Sequence, residues 1–201
     1  MKHIFKKGSN PEKPVLLLLH GTGGNEQSLL SLASMIDSGA SVLSVRGNVL
    51  EQGMPRFFKR LSEGVFDEED LVFRTNELNR FLDEASVQYE FNRENIVAIG
   101  YSNGANIAAS LFYHFGEALN GAILHHPMVP RRGISLPDLS GKQVFITAGT
   151  NDPISPKAEA MELQQALADA KASVDVHWEA FGHQLTGSEV EAARQWYDQR
   201  Y

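Results

Sequence analysis

Cysteine is absent from the 201 residues. Disulfides, zinc–thiolate sites and a thiol nucleophile are therefore excluded together. Long apolar runs are missing too. The longest purely aliphatic stretch, Val15–Leu19, has five residues, against about 20 for a membrane span and about 7–15 for the core of a secretory signal. The segment Met1-Lys2-His3-Ile4-Phe5-Lys6-Lys7 carries charge with no apolar core behind it. Position 2 is Lys and the last residues are Gln199-Arg200-Tyr201, so no lipidation motif is expected at either end. Positive charge is also in short supply. Eighteen Lys plus Arg against 25 Asp plus Glu leave a formal charge of −7, the opposite of the basic face by which nucleic acid is held. Repeats, low-complexity blocks and long charge runs are lacking. These absences give the expectation of a cytoplasmic protein with no membrane insertion and no nucleic-acid partner.

What is present is an ordinary globular composition, 42% hydrophobic and 21% charged. At roughly 150 residues per domain, residues 1–201 read as one domain. Short Val/Ile/Leu-rich runs occur at Val15–Leu19, Val42–Val45, Ile96–Ile99, Ala122–Leu124, Val144–Thr147 and Val174–Trp178. They lack strict polar alternation, which suits strands covered on both faces of a parallel sheet. Between them lie helical periods. Leu71, Leu78, Leu82, Ala85 and Tyr89 recur within Asp67–Tyr89, and Ala160, Leu163, Leu167 and Ala170 within Pro156–Lys171. Val190, Ala193 and Tyr197 mark a last helix over about Ser188–Gln199. Strands alternating with helices predict an α/β fold, a doubly wound and mostly parallel sheet. In such sheets a site lies beyond the carboxyl ends of the strands.

The loops after the strands carry chemistry. Strand Asn95–Ile99 runs into Gly100-Tyr101-Ser102-Asn103-Gly104, and Ala105–Phe115 behind it reads as a buried helix. A G-x-S-x-G between strand and helix is the setting of a nucleophile elbow, where small neighbours let strand and helix nearly touch. A serine hydroxyl needs a base to take its proton and a third group to orient that base. Of seven histidines, His3, His114 and His177 read as structural. His125 and His126 border the strand ends but precede any acid candidate. His183, in Phe181-Gly182-His183-Gln184 between the last strand and last helix, completes the chain order Ser, acid, His. The acid candidate is Asp152, in Gly149-Thr150-Asn151-Asp152-Pro153 directly after strand Val144–Thr147; a plain turn Asp before Pro is its alternative. A tetrahedral intermediate also needs two backbone N–H donors. One falls to Asn103, after the serine, and one to the glycine-rich turn His20-Gly21-Thr22-Gly23-Gly24-Asn25, taken as Thr22. A phosphate loop is excluded there: Glu26 stands where the dinucleotide fingerprint needs Gly, and the chain has no G-K-[S/T].

Leu16-Leu17-Leu18-Leu19-His20-Gly21-Thr22-Gly23-Gly24-Asn25-Glu26, Gly100-Tyr101-Ser102-Asn103-Gly104-Ala105-Asn106, Gly149-Thr150-Asn151-Asp152-Pro153-Ile154 and Phe181-Gly182-His183 together resemble the α/β-hydrolase superfamily. Within it they resemble the phospholipase/carboxylesterase family, which includes acyl-protein thioesterases and bacterial carboxylesterases. The resemblance implies an α/β-hydrolase fold in three layers and a serine hydrolase without metal or cofactor. Ser102 is carried over as nucleophile, Asp152 as acid and His183 as base. Many members have Gln and Gly where this chain has Asn103 and Ala105. Backbone donation survives that change, while the polar contact near the acyl group is altered.

The chain leaves no room for a cap domain, so loops must wall the pocket. Arg46–Phe66 and His125–Gly133 are the candidates, with Met54, Phe57, Phe58, Met128 and Val129 as lining residues. Phe57, Phe58 and Phe66 have the alternative role of plugging core space under the loop. Arg46 and Arg131 read as solvated surface cations, with an anionic substrate as the other option. The expected function is hydrolysis of small or medium-sized carboxylic esters through an acyl-enzyme. A thioesterase on acyl-CoA or acylated protein, a non-catalytic small-molecule receptor, and a peptidase or transacylase are the alternatives. The expected partner is a small-molecule ester, with a homodimer carried as a candidate assembly.

Overall fold

A computed structural model describes residues 1–201. In chain order the elements are β1 (His3–Lys6), β2 (Val15–Leu19), α1 (Leu30–Ile36), β3 (Val42–Val45), β4 (Val49–Glu51), β5 (Met54–Arg56), β6 (Arg60–Ser62) and β7 (Val65–Phe66). They continue with α2 (Glu68–Tyr89), β8 (Ile96–Tyr101), α3 (Asn103–His114), β9 (Gly121–His125), β10 (Gln143–Gly149), α4 (Lys157–Asp169), β11 (Ser173–Glu179) and α5 (Gly187–Asp198). Seven strands form one sheet in the order β1-β3-β2-β8-β9-β10-β11. All neighbours pair in parallel except β1, which runs antiparallel to β3.

The six aliphatic runs are the six parallel strands. β2, β3 and β9 are buried throughout and β8 and β10 nearly so, which is why they lack alternation, while β11 at the sheet edge is only partly buried. Successive side chains of β2 enter opposite layers, as a period of two requires. Leu17 and Leu19 pack with residues of α2, α3 and α4, whereas Leu16 and Leu18 pack with those of α1 and α5. The result is a three-layer α/β sandwich. No helix is long and apolar enough to cross a membrane.

Three features depart from the sequence reading. β1 is a four-residue edge strand, partly exposed, too short and polar to stand out as a run. α1 has seven residues and no side-chain cap. Arg46–Phe66, expected as a loop, contains two small hairpins, β4–β5 and β6–β7. In the first, Glu51 pairs with Met54 across Gln52 (φ +52°) and Gly53 (φ +81°), the two positive φ values that a twist-matched two-residue turn demands.

The strand order places the site. From β2 the chain moves to β3 on one side and later to β8 on the other, so β2 and β8 flank a switch point. Crevices at such points open beyond the carboxyl ends of the strands. The glycine-rich turn and Ser102 both emerge there.

Candidate active site

Ser102 joins β8 to α3 at φ +52° and ψ −114°, backbone that a non-glycine residue adopts only under constraint. The constraint is close packing. A Cβ on Gly104 would lie 1.9 Å from the Leu19 carbonyl oxygen, and one on Gly100 2.6 Å from the Ala105 Cα. The Ser102 amide donates to the His125 carbonyl (2.9 Å), and Ser102 O accepts from the Asn106 amide at the start of α3 (2.9 Å). Its hydroxyl is left to the cleft, where Oγ is 2.8 Å from His183 Nε2.

His183 Nδ1 lies 2.7 Å from Asp152 Oδ2. The Tyr101 hydroxyl donates to the His183 carbonyl (2.6 Å) and so holds the loop that carries it. Asp152 Oδ1 accepts from the Ile154 and Ser155 amides (2.8 and 2.9 Å), and the Ser155 hydroxyl donates to the Pro127 carbonyl (2.6 Å). Burial alone would raise the Asp152 carboxyl. The Ser155 amide, His183 and the Ile154 amide outweigh it and hold the group below its usual range. The Tyr101 phenol is pushed up by burial and by the charges of Asp152 and Glu189. The residues of the predicted trio, drawn from three separate strand-end loops, therefore meet in one hydrogen-bonded line.

The cleft over Ser102 holds about 220 Å³ and is lined by Thr22, Arg56, Arg60, Glu63, Gly64, Phe66, Tyr101, Asn103, Asn106, Met128, Ile154 and His183 as well as Ser102. Both expected amide donors, Thr22 and Asn103, line it, and neither N–H donates to another protein group. Asn103 stands in the first turn of α3, where helix N–H groups are unpaired and the helix dipole favours negative charge.

The lining differs from expectation. Of the five residues expected there, only Met128 faces the cleft. Phe57 (1% exposed) and Phe58 (0%) belong to the core, with Phe57 against His20 and Phe58 against Phe66. Val129 is core as well, its amide given to Glu159 Oε2 (2.9 Å). Met54 is partly exposed and lies over Gly23. The core-filling alternative holds for Phe57 and Phe58. Arg46 and Arg131 pair with Glu26 and Glu68.

Arg56 and Arg60 stand in the cleft instead. Buried Arg56 donates to Thr22 Oγ1 (2.6 Å) and to the Phe58 carbonyl (3.2 Å) and faces Glu51 (3.2 Å). Glu51 also takes Arg60 (2.9 Å). Asn103 Oδ1 accepts the Phe57 amide and Asn106 Oδ1 the Met128 amide, both at 2.7 Å. One helical face thus ties both walls to the elbow. The i, i+3 spacing of the two asparagines was the available signal for this role.

Two further residues belong to the site: His126, which the sequence reading set aside because it precedes the acid, and Glu189, which it did not single out. His126 Nδ1 lies 3.1 Å from Asp152 Oδ2 and its Nε2 2.9 Å from Glu189 Oε1. Burial would favour the neutral imidazole, but Glu189 and Asp152 together raise the proton affinity of His126. Burial opposes ionisation of Glu189 too, yet His126, Thr147 and the Thr186 amide bring its carboxyl down to about 2. Neighbouring His125 is pushed down to about 4, chiefly by burial. His126, Asp152 and His183 hold atoms within 4.8 Å of one another that suit a metal ion. Those atoms are engaged with each other at hydrogen-bond distance.

Comparison with known proteins places this geometry. The dienelactone hydrolase family model matches residues 5–195. The chain belongs to the dienelactone hydrolase family. The superfamily resemblance of the motifs therefore holds, with dienelactone hydrolase as the matching family within it. The chain is 62% identical over 197 residues to "Putative hydrolase MhqD" of Bacillus subtilis (strain 168), covering 98% of each chain. It is 68% identical to the Bacillus cereus carboxylesterase, with a TM-score of 0.99 over 100% of this chain and 95% of that one. A carboxylesterase from Mesorhizobium loti is 29% identical, with a TM-score of 0.87 over 92% and 88%. This member of the dienelactone hydrolase family is an enzyme, a hydrolase of carboxylesterase type.

Proposed function

We propose that the enzyme cleaves carboxylic esters of small substrates through an acyl-enzyme on Ser102. His183 acts as base and Asp152 as the group that orients it. The observation that carries the reading is the line Ser102 Oγ to His183 Nε2 (2.8 Å) and His183 Nδ1 to Asp152 Oδ2 (2.7 Å). In that line Nδ1–H donates to the carboxylate, which leaves the Nε2 lone pair to receive the serine proton.

Ser102 Oγ adds to the ester carbonyl carbon while its proton passes to His183 Nε2. The negative oxygen is met by the Thr22 and Asn103 amides, whose N–H groups have no protein acceptor to give up. Collapse breaks the bond to the alcohol oxygen, which leaves with the proton from His183. A water then loses its proton to the same nitrogen and adds to the acyl carbon. Release of Ser102 Oγ, reprotonated by His183, frees the acid. Every step closes with these groups and one water.

A cleft of about 220 Å³ is below the usual range of about 300–1,000 Å³ for drug-sized ligands, and two guanidiniums and a carboxylate line it. Both features favour short, partly polar acyl or alcohol groups over long alkyl chains. The test is labelling with a fluorophosphonate probe. Wild type should label and lose esterase activity, and Ser102→Ala should do neither. Equal labelling of the two, or of neither, would overturn the assignment.

A further inference from the structure

The reaction described above leaves His126 unused. It follows β9 at φ +52°, a left-handed conformation that a non-glycine residue keeps only where its surroundings hold it. Its amide donates to the Thr147 carbonyl (2.8 Å), and its side chain is fully buried. Nδ1 shares Asp152 Oδ2 with His183. Nε2 lies at ion-pair distance from Glu189 Oε1, 2.9 Å, and neither atom has a hydrogen-bond partner. The second Glu189 oxygen accepts from the Thr186 amide (2.8 Å) and hydroxyl (2.9 Å).

Counting protons decides the state of this ring. A neutral imidazole has one N–H. Whichever nitrogen carried it, the other would turn a lone pair on a buried carboxylate oxygen about 3 Å away, and unpaired buried charge of that kind is strongly disfavoured. An imidazolium turns no lone pair on either carboxylate and sets one positive charge at ion-pair distance from both.

We propose that His126 is held as an imidazolium between Asp152 and Glu189, fixing the Asp152 carboxylate toward His183 and setting the pH range in which His183 accepts the Ser102 proton. His126 is a positioning residue, and the inference rests on the Ser102–His183–Asp152 reading. The groups that face it are Asp152 from the loop after β10, Glu189 from α5, His183 from the loop before α5, Tyr101 from the end of β8 and its neighbour His125. The raised proton affinity of His126 and the depressed Glu189 carboxyl agree with it. Its ring centroid lies 5.3 Å from that of His183. At that range a charge on one ring bears on any charge that develops on the other during proton transfer.

Profiles of kcat/KM against pH for wild type, His126→Gln and Glu189→Gln test the proposal. Gln still completes the Thr186 capping box, so the second variant removes charge and keeps shape. In both variants the acid limb should move to higher pH, by about half a unit or more for the loss of a cation at this range. A lower plateau with an unshifted limb would overturn it, because a purely structural role changes amount and not titration. Nitrogen-15 NMR of wild type at neutral pH should show both His126 ring nitrogens protonated; a neutral tautomer overturns the proposal, even where His126→Gln fails to fold. Full esterase activity in Ser102→Ala would instead defeat the underlying triad, and the NMR reading needs no turnover.

Discussion

Asn103 shows how one side chain serves both wall and elbow. It lines the cleft with a backbone N–H that has no protein acceptor, while Oδ1 holds the buried Phe57 amide at 2.7 Å. Asn103→Ala keeps the backbone donor but strands that amide. We expect a loss of about 1–3 kcal/mol, the usual cost of an unsatisfied buried donor, read as a lower urea midpoint, together with a fall in kcat/KM as the wall loosens. Residues of this kind are the least legible in sequence. That Ser102, Asp152 and His183 come together could be read because each follows a strand with a local signature. Arg56 could not, since pocket reasoning favours apolar side chains. A guanidinium only 3% exposed is tolerated there through Thr22, the Phe58 carbonyl and Glu51, partners that no spacing rule connects. His126 was set aside because it precedes the acid in the chain, although it lies against that acid in space.

At the level of elements, the contact between β2 and α3 limits what the elbow tolerates. Gly104→Ala would drive a methyl into the Leu19 carbonyl at 1.9 Å, with backbone on both sides and no flexible end to yield. The expected cost lies at or above the top of the range of about 1–3 kcal/mol for overpacking; a urea midpoint equal to wild type would contradict this account of the motif. The five inner strands and the four longer helices were legible because each buries an apolar face, which imprints hydrophobicity directly. Edge strand β11 was legible through its Val174, Val176 and Trp178, packed on the core. β1, α1 and the hairpins were not. They have two to seven residues and are partly exposed, and they gain order from neighbours rather than from their own pattern.

Across the whole molecule, acid should act through the buried carboxylates. Glu189 is depressed from 4.5 to about 2 in the fold. Its contribution to stability is therefore complete above about pH 4.5 and is lost as pH falls toward 2. Asp152 is depressed as well and acts in the same direction. His126, raised above 6.5, contributes fully below that pH and loses its share as pH rises through its elevated value. Urea midpoints of wild type should thus fall between pH 4.5 and 2, and Glu189→Gln should flatten that fall. Equal acid sensitivity in the two proteins would contradict the assignment.

The Arg56–Phe66 stretch supplies Arg56, Arg60, Glu63, Gly64 and Phe66 to the cleft, while the trio comes from strand ends elsewhere in the chain. Much of the wall on one side of the cleft is therefore written in one stretch of the chain. Changes at its cleft-lining positions, with Phe57 and Phe58 kept in the core, can alter what is recognised, whereas a new reaction would require coordinated changes in three distant loops. On that basis lineages of this enzyme should diversify in diet faster than in chemistry, with the hairpins as the exchangeable cassette.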